Sequence, residues 1–506
     1  MNRRDTLRQI ACWPRLAVAD VAGRPAAAAA DGAPPTRIPA ADLLADAALL
    51  RRAFETLHPG LLRYNTQAQL AGHFDTLNRS LARDLSLAEA YLAFSFFAAR
   101  IRCGHTYANF FNQSKAVEAA LFERNTRLPV HFVWLGRKMV VTRNFSVDPD
   151  IVPGTEILAI DGIPAAAILE SLQTVAPADG SNDAKRSNWL QVTGEKPIEA
   201  FDVFLPLFFK SIGSRPRLRV QAPDATSSRE TPVEALTAAR RRELRPAPPG
   251  AAAALWTLDT SDPELAILHM PTWAMYNSRW DWQTWLQETF ERLAHTAAPA
   301  LVIDLRANEG GDDVGTVLLA HLTAQALPLP ELRRLVRYQR VPDDLAPHLD
   351  TWDPSFKDWG SAATRFDERY FELRRDEDDK GGSVVAPRAP QYAGRVFVLI
   401  GPANSSATFR FAQEIRQSGL ATLVGQPTGG NLRGINGGAF FFLRLPNSGI
   451  EVDLPLIGYF PTGDLPPDRG VAPDVMVENT ITDIANGVDA ALRTVRQLLR
   501  STPRAP

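Results

Sequence analysis

Three short stretches of this 506-residue chain carry residue types that could activate a nucleophile. The first is GPANSSATFRFAQEI, directly after the apolar run VFVLI. A serine where a buried strand gives way to a helix sits at the helix N-terminus, where unpaired backbone N–H groups favour developing negative charge. An acyl-transfer nucleophile benefits most there, and Ser406 followed by the amide of Ala407 fits the place. The same position suits an ordinary helix cap, so Ser405 or Ser406 taken alone could be only that. The second stretch, LVIDLRANEGGDD, is another apolar strand running into paired glycines, Gly310 and Gly311. Glycine pairs let backbone amides approach a ligand closely, so this loop could supply an oxyanion donor beside Ala407, or be a plain strand-to-helix turn.

The third stretch is CGHTYANFF, around His105. Of eight histidines, His269 lies inside an apolar strand pattern, His295 and His321 fall on helix patterns, and His58, in HPG, ends a helix. His105 differs because it follows a glycine at a junction between domains, where pockets tend to form. There is no HExxH, no CxxC and no phosphate-cradling glycine motif, so no metal and no cofactor is implied. The chemistry that remains is hydrolytic.

The elements that must position these residues follow from periodicity. Residues 1–33 read as an export signal or disordered leader, with a twin arginine (Arg3, Arg4) and an alanine run, which implies a periplasmic or extracellular location. Residues 34–120 read as a helical domain carrying His105, since ADLLADAALLRRAFETLH and LSLAEAYLAFSFFAARI repeat apolar residues every three or four positions. The residues after His105 suggest a turn into a strand. Residues 125–245 are β-rich, with the short runs LPVHFVWL, KMVVTRN and FDVFLPLFF, and the stretch near 240–254 reads as a linker. Residues 255–500 alternate apolar strands with amphipathic helices, which predicts an α/β catalytic domain with a mainly parallel sheet. Within it, residues 341–390 form an insertion with several prolines and clustered aspartates (Asp376, Asp378, Asp379), a length that points to a functional flap or a flexible insertion.

Composition narrows the function classes. At 45% apolar and 22% charged, with a formal net charge of -2, the chain is globular and offers no basic excess for nucleic acid. No apolar run reaches the length of an ordinary membrane span. Cys12 and Cys103 are the two cysteines, and with Cys12 in the leader a disulfide framework is not expected.

The ordered motifs resemble the C-terminal processing (tail-specific) family of serine peptidases, with its tricorn-core-like and retinoid-binding-protein-like branches. CGHTYANF is similar to that family's GHTxV element, LVIDLRANEGGDD to its DLRGNGGG strand and loop, NSSATFRFAQEI to its SASE helix, and GVAPDVMV to its GxxPDxxV ending. PGTEILAIDG resembles part of a PDZ-like domain common in the family. The resemblance runs from about residue 40 to the C-terminus. It implies a crotonase/ClpP-like catalytic fold, Ser406 as nucleophile, His105 as base, and oxyanion donors at Ala407 and at Gly310 or Gly311. Many members place a lysine base where this chain has Asn431, which points to the Ser–His branch. Where that branch has a glutamate to orient the histidine, this chain has Pro467, so the neighbouring Asp468 is expected to take the task, with Asp464 behind it. A peptide or protein substrate is implied. The same scaffold could also serve as an inactive peptide- or apolar-ligand-binding protein, or as a small-substrate esterase or amidase. Phe440, Phe441 and Phe442 are expected to form a core strand or else to line an apolar specificity site.

Overall fold

The computed structural model describes residues 37–501 except positions 248, 277, 297 and 375–383. The leader, with Cys12, and the aspartates Asp376, Asp378 and Asp379 lie outside the described residues. Three helices open the chain: Ala40–Leu57, Gln67–Ser80 and Leu87–Arg100. The second and third start at capping boxes, Thr66 with Gln69 and Ser86 with Glu89, each of which satisfies backbone donors that would otherwise face water. The third helix stops at Arg100, and Arg102 adopts a left-handed φ of 59° before Cys103 and His105. No strand follows His105; residues 103–111 run as successive turns, because Tyr107 and its neighbours pack as separate aromatic anchors rather than pairing with a strand.

An antiparallel sheet comes next, in the spatial order Val130–Leu135, Lys138–Asn144, Glu156–Ile160, Arg217–Gln221 and Arg229–Pro232, with Ile163–Pro164 beside the third. The run FDVFLPLFF, read from sequence as a strand, lies within the helix Ala200–Phe208 and the residue after it. Ala200 to Leu207 are all buried, Asp202 included, so the segment shows no alternation of buried and exposed positions that would separate helix from strand. The expected linker near 240–254 begins with a short helix, Ala238–Glu243, capped by Thr237.

The parallel sheet has the order Val475–Met476, Thr422–Gly425, Arg395–Ile400, Ala300–Asp304, Leu265–His269, with Thr257–Asp262 added antiparallel at the edge. Its central strands are apolar on both faces because both are covered. Val302, Phe397, Leu399 and Val424 pack with Ala491 and Val495 of the C-terminal helix, whereas Leu301, Ile303, Val398 and Ile400 belong to the main core with Phe290, Leu318 and Phe411. A second, antiparallel sheet centres on the hairpin Asn436–Arg444 and Glu451–Pro461. The 341–390 insertion joins this sheet through the short strands Leu349–Asp350, Ala363–Arg365 and Phe371–Leu373, so its described part is anchored rather than structureless.

Candidate active site

The turn between Arg395–Ile400 and the helix Ser406–Ser418 is built on one buried side chain. Asn404 donates from Nδ2 to the carbonyls of Leu305 (2.6 Å) and Asn308 (2.9 Å), and its Oδ1 accepts the N–H of Gly401 at 2.8 Å. Its own carbonyl accepts from Gly429 and Gly430. Ser405 is a tie: its Oγ donates to the Glu309 carbonyl at 3.0 Å. Ser406 is different. Its φ of 51° lies in the left-handed region, a conformation that costs a non-glycine residue about 1 kcal/mol or more and that concentrates at functional sites. Its hydroxyl makes no hydrogen bond among the described residues.

The glycine loop presses against this turn. At Gly310 a Cβ would stand 2.8 Å from the Ser405 carbonyl oxygen, 2.9 Å from Ser406 Cβ and 3.0 Å from the Ala407 nitrogen, so only glycine allows the approach. The two glycines, equivalent in the sequence, separate here. The Gly310 N–H donates to Asn308 Oδ1 at 2.9 Å, whereas the Gly311 N–H meets no acceptor among the described residues. The Ala407 N–H belongs to the first turn of its helix, where intrahelical partners are lacking.

His105 is half-buried, and its Nδ1 is sealed from solvent with no hydrogen-bond partner. Its ring lies 5.8 Å from that of Phe440. Among the described residues no hydrogen bond joins it to Ser406; Glu309 links the two neighbourhoods, since its carboxylate acts on the His105 ring while its carbonyl holds Ser405. The carboxylate whose charge acts most on the ring is not one the sequence pointed to. Asp179, 1% exposed, accepts the Gly104 N–H at 2.9 Å on Oδ1, beside the imidazole. Burial lowers the His105 pKa and the Asp179 charge partly restores it; burial likewise raises Asp179, and the imidazole opposes that rise.

Asp468 sits one layer further out. It accepts from Ser181 N–H and Ser181 Oγ (both 3.0 Å) and from Asn431 Nδ2 (2.7 Å), and no pair with His105 is formed. Asp468, expected to orient the histidine, makes no hydrogen bond to it among the described residues, and Asp179 is the aspartate whose charge acts on the ring. Asp464 is exposed. Asn431, fully buried, also donates to the Asp179 carbonyl at 3.2 Å, so it clamps the Asp179 loop. Gly180 in that loop has φ 59°, and a Cβ there would fall 2.1 Å from Asp468 Oδ1. Nothing local in APADGSN distinguishes Asp179 from a turn residue; only its partners do.

Lys185 is the other cation at the site. Its Nζ lies 3.2 Å from Glu309 Oε1 and 3.2 Å from the Ala403 carbonyl, and Lys196 meets the same Glu309 oxygen at 3.0 Å. A cleft of about 400 Å³ opens behind this ion pair, bounded by Trp134, Trp189, Arg306 and Ala403; neither Ser406 nor His105 lines it. Among the described residues no group of three histidine, cysteine or carboxylate side chains is placed to hold a metal ion, and no helix is long and apolar enough to cross a membrane.

Residues 264–477 match the model of peptidase family S41. That segment carries the S41 peptidase domain. The resemblance to C-terminal processing serine peptidases, read from four motifs, thus holds at the level of family and enzyme class. Among solved structures, mature CPAF complexed with lactacystin is similar at 17% identity and a TM-score of 0.61, covering 91% of this chain and 98% of that one. Mature CPAF alone gives 17% identity and a TM-score of 0.58, with 91% and 97% covered. At that identity the likeness is one of fold, and it extends over nearly the whole chain. No match is found among curated proteins.

Proposed function

We propose that this S41 member hydrolyses peptide bonds in proteins or peptides through an acyl-enzyme on Ser406, with His105 as general base. The observation that carries the reading is the left-handed Ser406 at the head of its helix, pressed against a glycine loop that no other residue could occupy. Ser406 Oγ attacks the scissile carbonyl while His105 takes its proton; the N–H groups of Ala407 and Gly311 hold the oxyanion. His105 then returns the proton to the departing amine, and water repeats the sequence to release the acyl group. Asn431 leaves no lysine at the aligned position, and Lys185 directs its Nζ to Glu309 and the Ala403 carbonyl rather than to Ser406.

Asp179 stands in the place of the orienting carboxylate. It stabilises the imidazolium by charge across a short gap, while Asn431 and Asp468 fix its loop. The sheet of residues 130–232 is read as the PDZ-like domain, which would position the substrate chain by strand addition. The twin-arginine leader supports export, and with it a periplasmic or extracellular site of action.

Fluorophosphonate labelling of the purified protein tests the assignment. Label on Ser406, mapped by mass spectrometry and lost in both Ser406→Ala and His105→Ala, is the expected result. A folded wild type that takes no label, or takes it on another serine, would replace this reading with that of a binding protein.

A further inference from the structure

The three consecutive phenylalanines of the strand Asn436–Arg444 divide between its two faces. Phe441 is fully buried, with its ring 6.2 Å from Tyr338. Phe440 and Phe442 lie on the opposite face, and both pack on Trp352, each at a ring separation of 5.9 Å. Trp352 comes from the 341–390 insertion. The insertion's strand Leu349–Asp350 pairs antiparallel with Leu443 and Phe442, which fixes Trp352 two residues later beside the same strand. Phe356 supports it edge-on at 5.5 Å, and Trp359 stacks on Phe356 at 5.5 Å. This aromatic series ends at the site: the other neighbour of Phe440 is His105.

Burial along the series is graded. Phe442 and Phe356 are buried, whereas Trp352, Phe440 and His105 keep part of their surfaces in solvent. An aromatic wall, partly open to solvent, that runs from the proposed general base to a rigidly supported tryptophan is apolar surface left uncovered next to His105. We infer that Phe440 and Trp352 form the subsite for the substrate side chain beside the scissile bond, and that it selects peptides with an aromatic or large aliphatic residue there. The insertion is then a specificity element, carrying one wall of the subsite on an anchored strand. The inference rests on the serine peptidase reading of Ser406 and His105.

Peptidyl diphenyl phosphonates that differ in one residue test it directly. Ser406 Oγ bonds to phosphorus, phenoxide leaves, and His105 takes the hydroxyl proton, so the inactivation rate reports the subsite without a known natural substrate. Probes with phenylalanine, alanine or aspartate next to phosphorus are compared on wild type, Trp352→Ala and Phe440→Ala, with a plain fluorophosphonate as the common reference. Wild type is expected to react with the phenylalanine probe roughly 10- to 100-fold faster than with the alanine probe, and more slowly still with aspartate. Trp352→Ala is expected to reduce that ratio to a few-fold. Normal fluorophosphonate labelling with equal rates for the three probes, or a Trp352→Ala variant that slows all probes alike, would overturn the subsite and leave the hydrolase reading standing. Absence of any label on Ser406 would remove both.

Discussion

Asp179→Asn is the substitution that most directly examines how this site works. The carboxylate is buried beside His105 and reaches it through charge, without a direct hydrogen bond. Opposite unit charges within roughly 4–8 Å of each other at an effective dielectric of about 20 attract by about 2–4 kcal/mol. That stabilisation appears only when His105 becomes imidazolium, in the transition state, so its loss should lower kcat/KM about 100-fold or somewhat more. Stability should move the other way or not at all: burial already raises the Asp179 pKa, and an asparagine keeps an oxygen for the Gly104 N–H. The pH profile supplies a second reading. His105 must be neutral to act as base, and because burial lowers its pKa, the acid limb of kcat/KM should lie below 6.5 in the wild type. Asp179 opposes that lowering, so removing its charge should shift the limb further toward acid while the plateau falls. The assay is kcat/KM on a cleaved peptide, or fluorophosphonate labelling rate, from pH 4 to 9, with thermal unfolding alongside. A plateau within threefold of wild type, or a large loss with the acid limb unmoved, would refute the electrostatic role.

Two further outcomes follow from the same geometry. Gly310→Ala puts a methyl group 2.8 Å from the Ser405 carbonyl and 2.9 Å from Ser406 Cβ; it should slow labelling of Ser406 at least 100-fold while circular dichroism stays native, and unchanged labelling would contradict the close approach. His58, fully buried between Thr106 Oγ1 and the Gly60 N–H, has its pKa lowered from 6.5 to about 3, chiefly by desolvation. Its folded pKa lies below the unfolded one, so as pH falls from 6.5 toward 3 the unfolded state gains the proton first and stability is lost, by up to about 1.4 kcal/mol per pH unit. Urea unfolding at pH 6.5, 5.5 and 5.0 should show a shallower decline in His58→Gln than in wild type; equal slopes would mean that the imidazole is not held neutral.

The parts of the site that were legible in the sequence are those encoded by neighbours in the chain. An apolar strand leading to a serine and a helix, a strand leading to paired glycines, and a glycine–histidine pair after a helix are local patterns, and the family follows from their order. Local patterns also misled where periodicity carries no information: Ala200–Phe208, buried on all sides, reads as either element, and the aromatics after His105 look like a strand although they run as turns. Tertiary structure alone decided the rest. Asp179 faces His105 because Asn431 and Ser181 tie its loop to Asp468, segments 250 or more residues apart, and no spacing rule reaches that far. Asp468 was the better guess from the family pattern, yet the folded chain gives its lone pairs to Ser181 and Asn431. The two glycines parted only when Asn308 took the Gly310 amide, and Trp352 came to lie against Phe440 only through the pairing of Leu349–Asp350 with the phenylalanine strand. A residue's type determines what chemistry it can do, but which charge or acceptor it meets is set by long-range packing, and at this site that packing decides the roles.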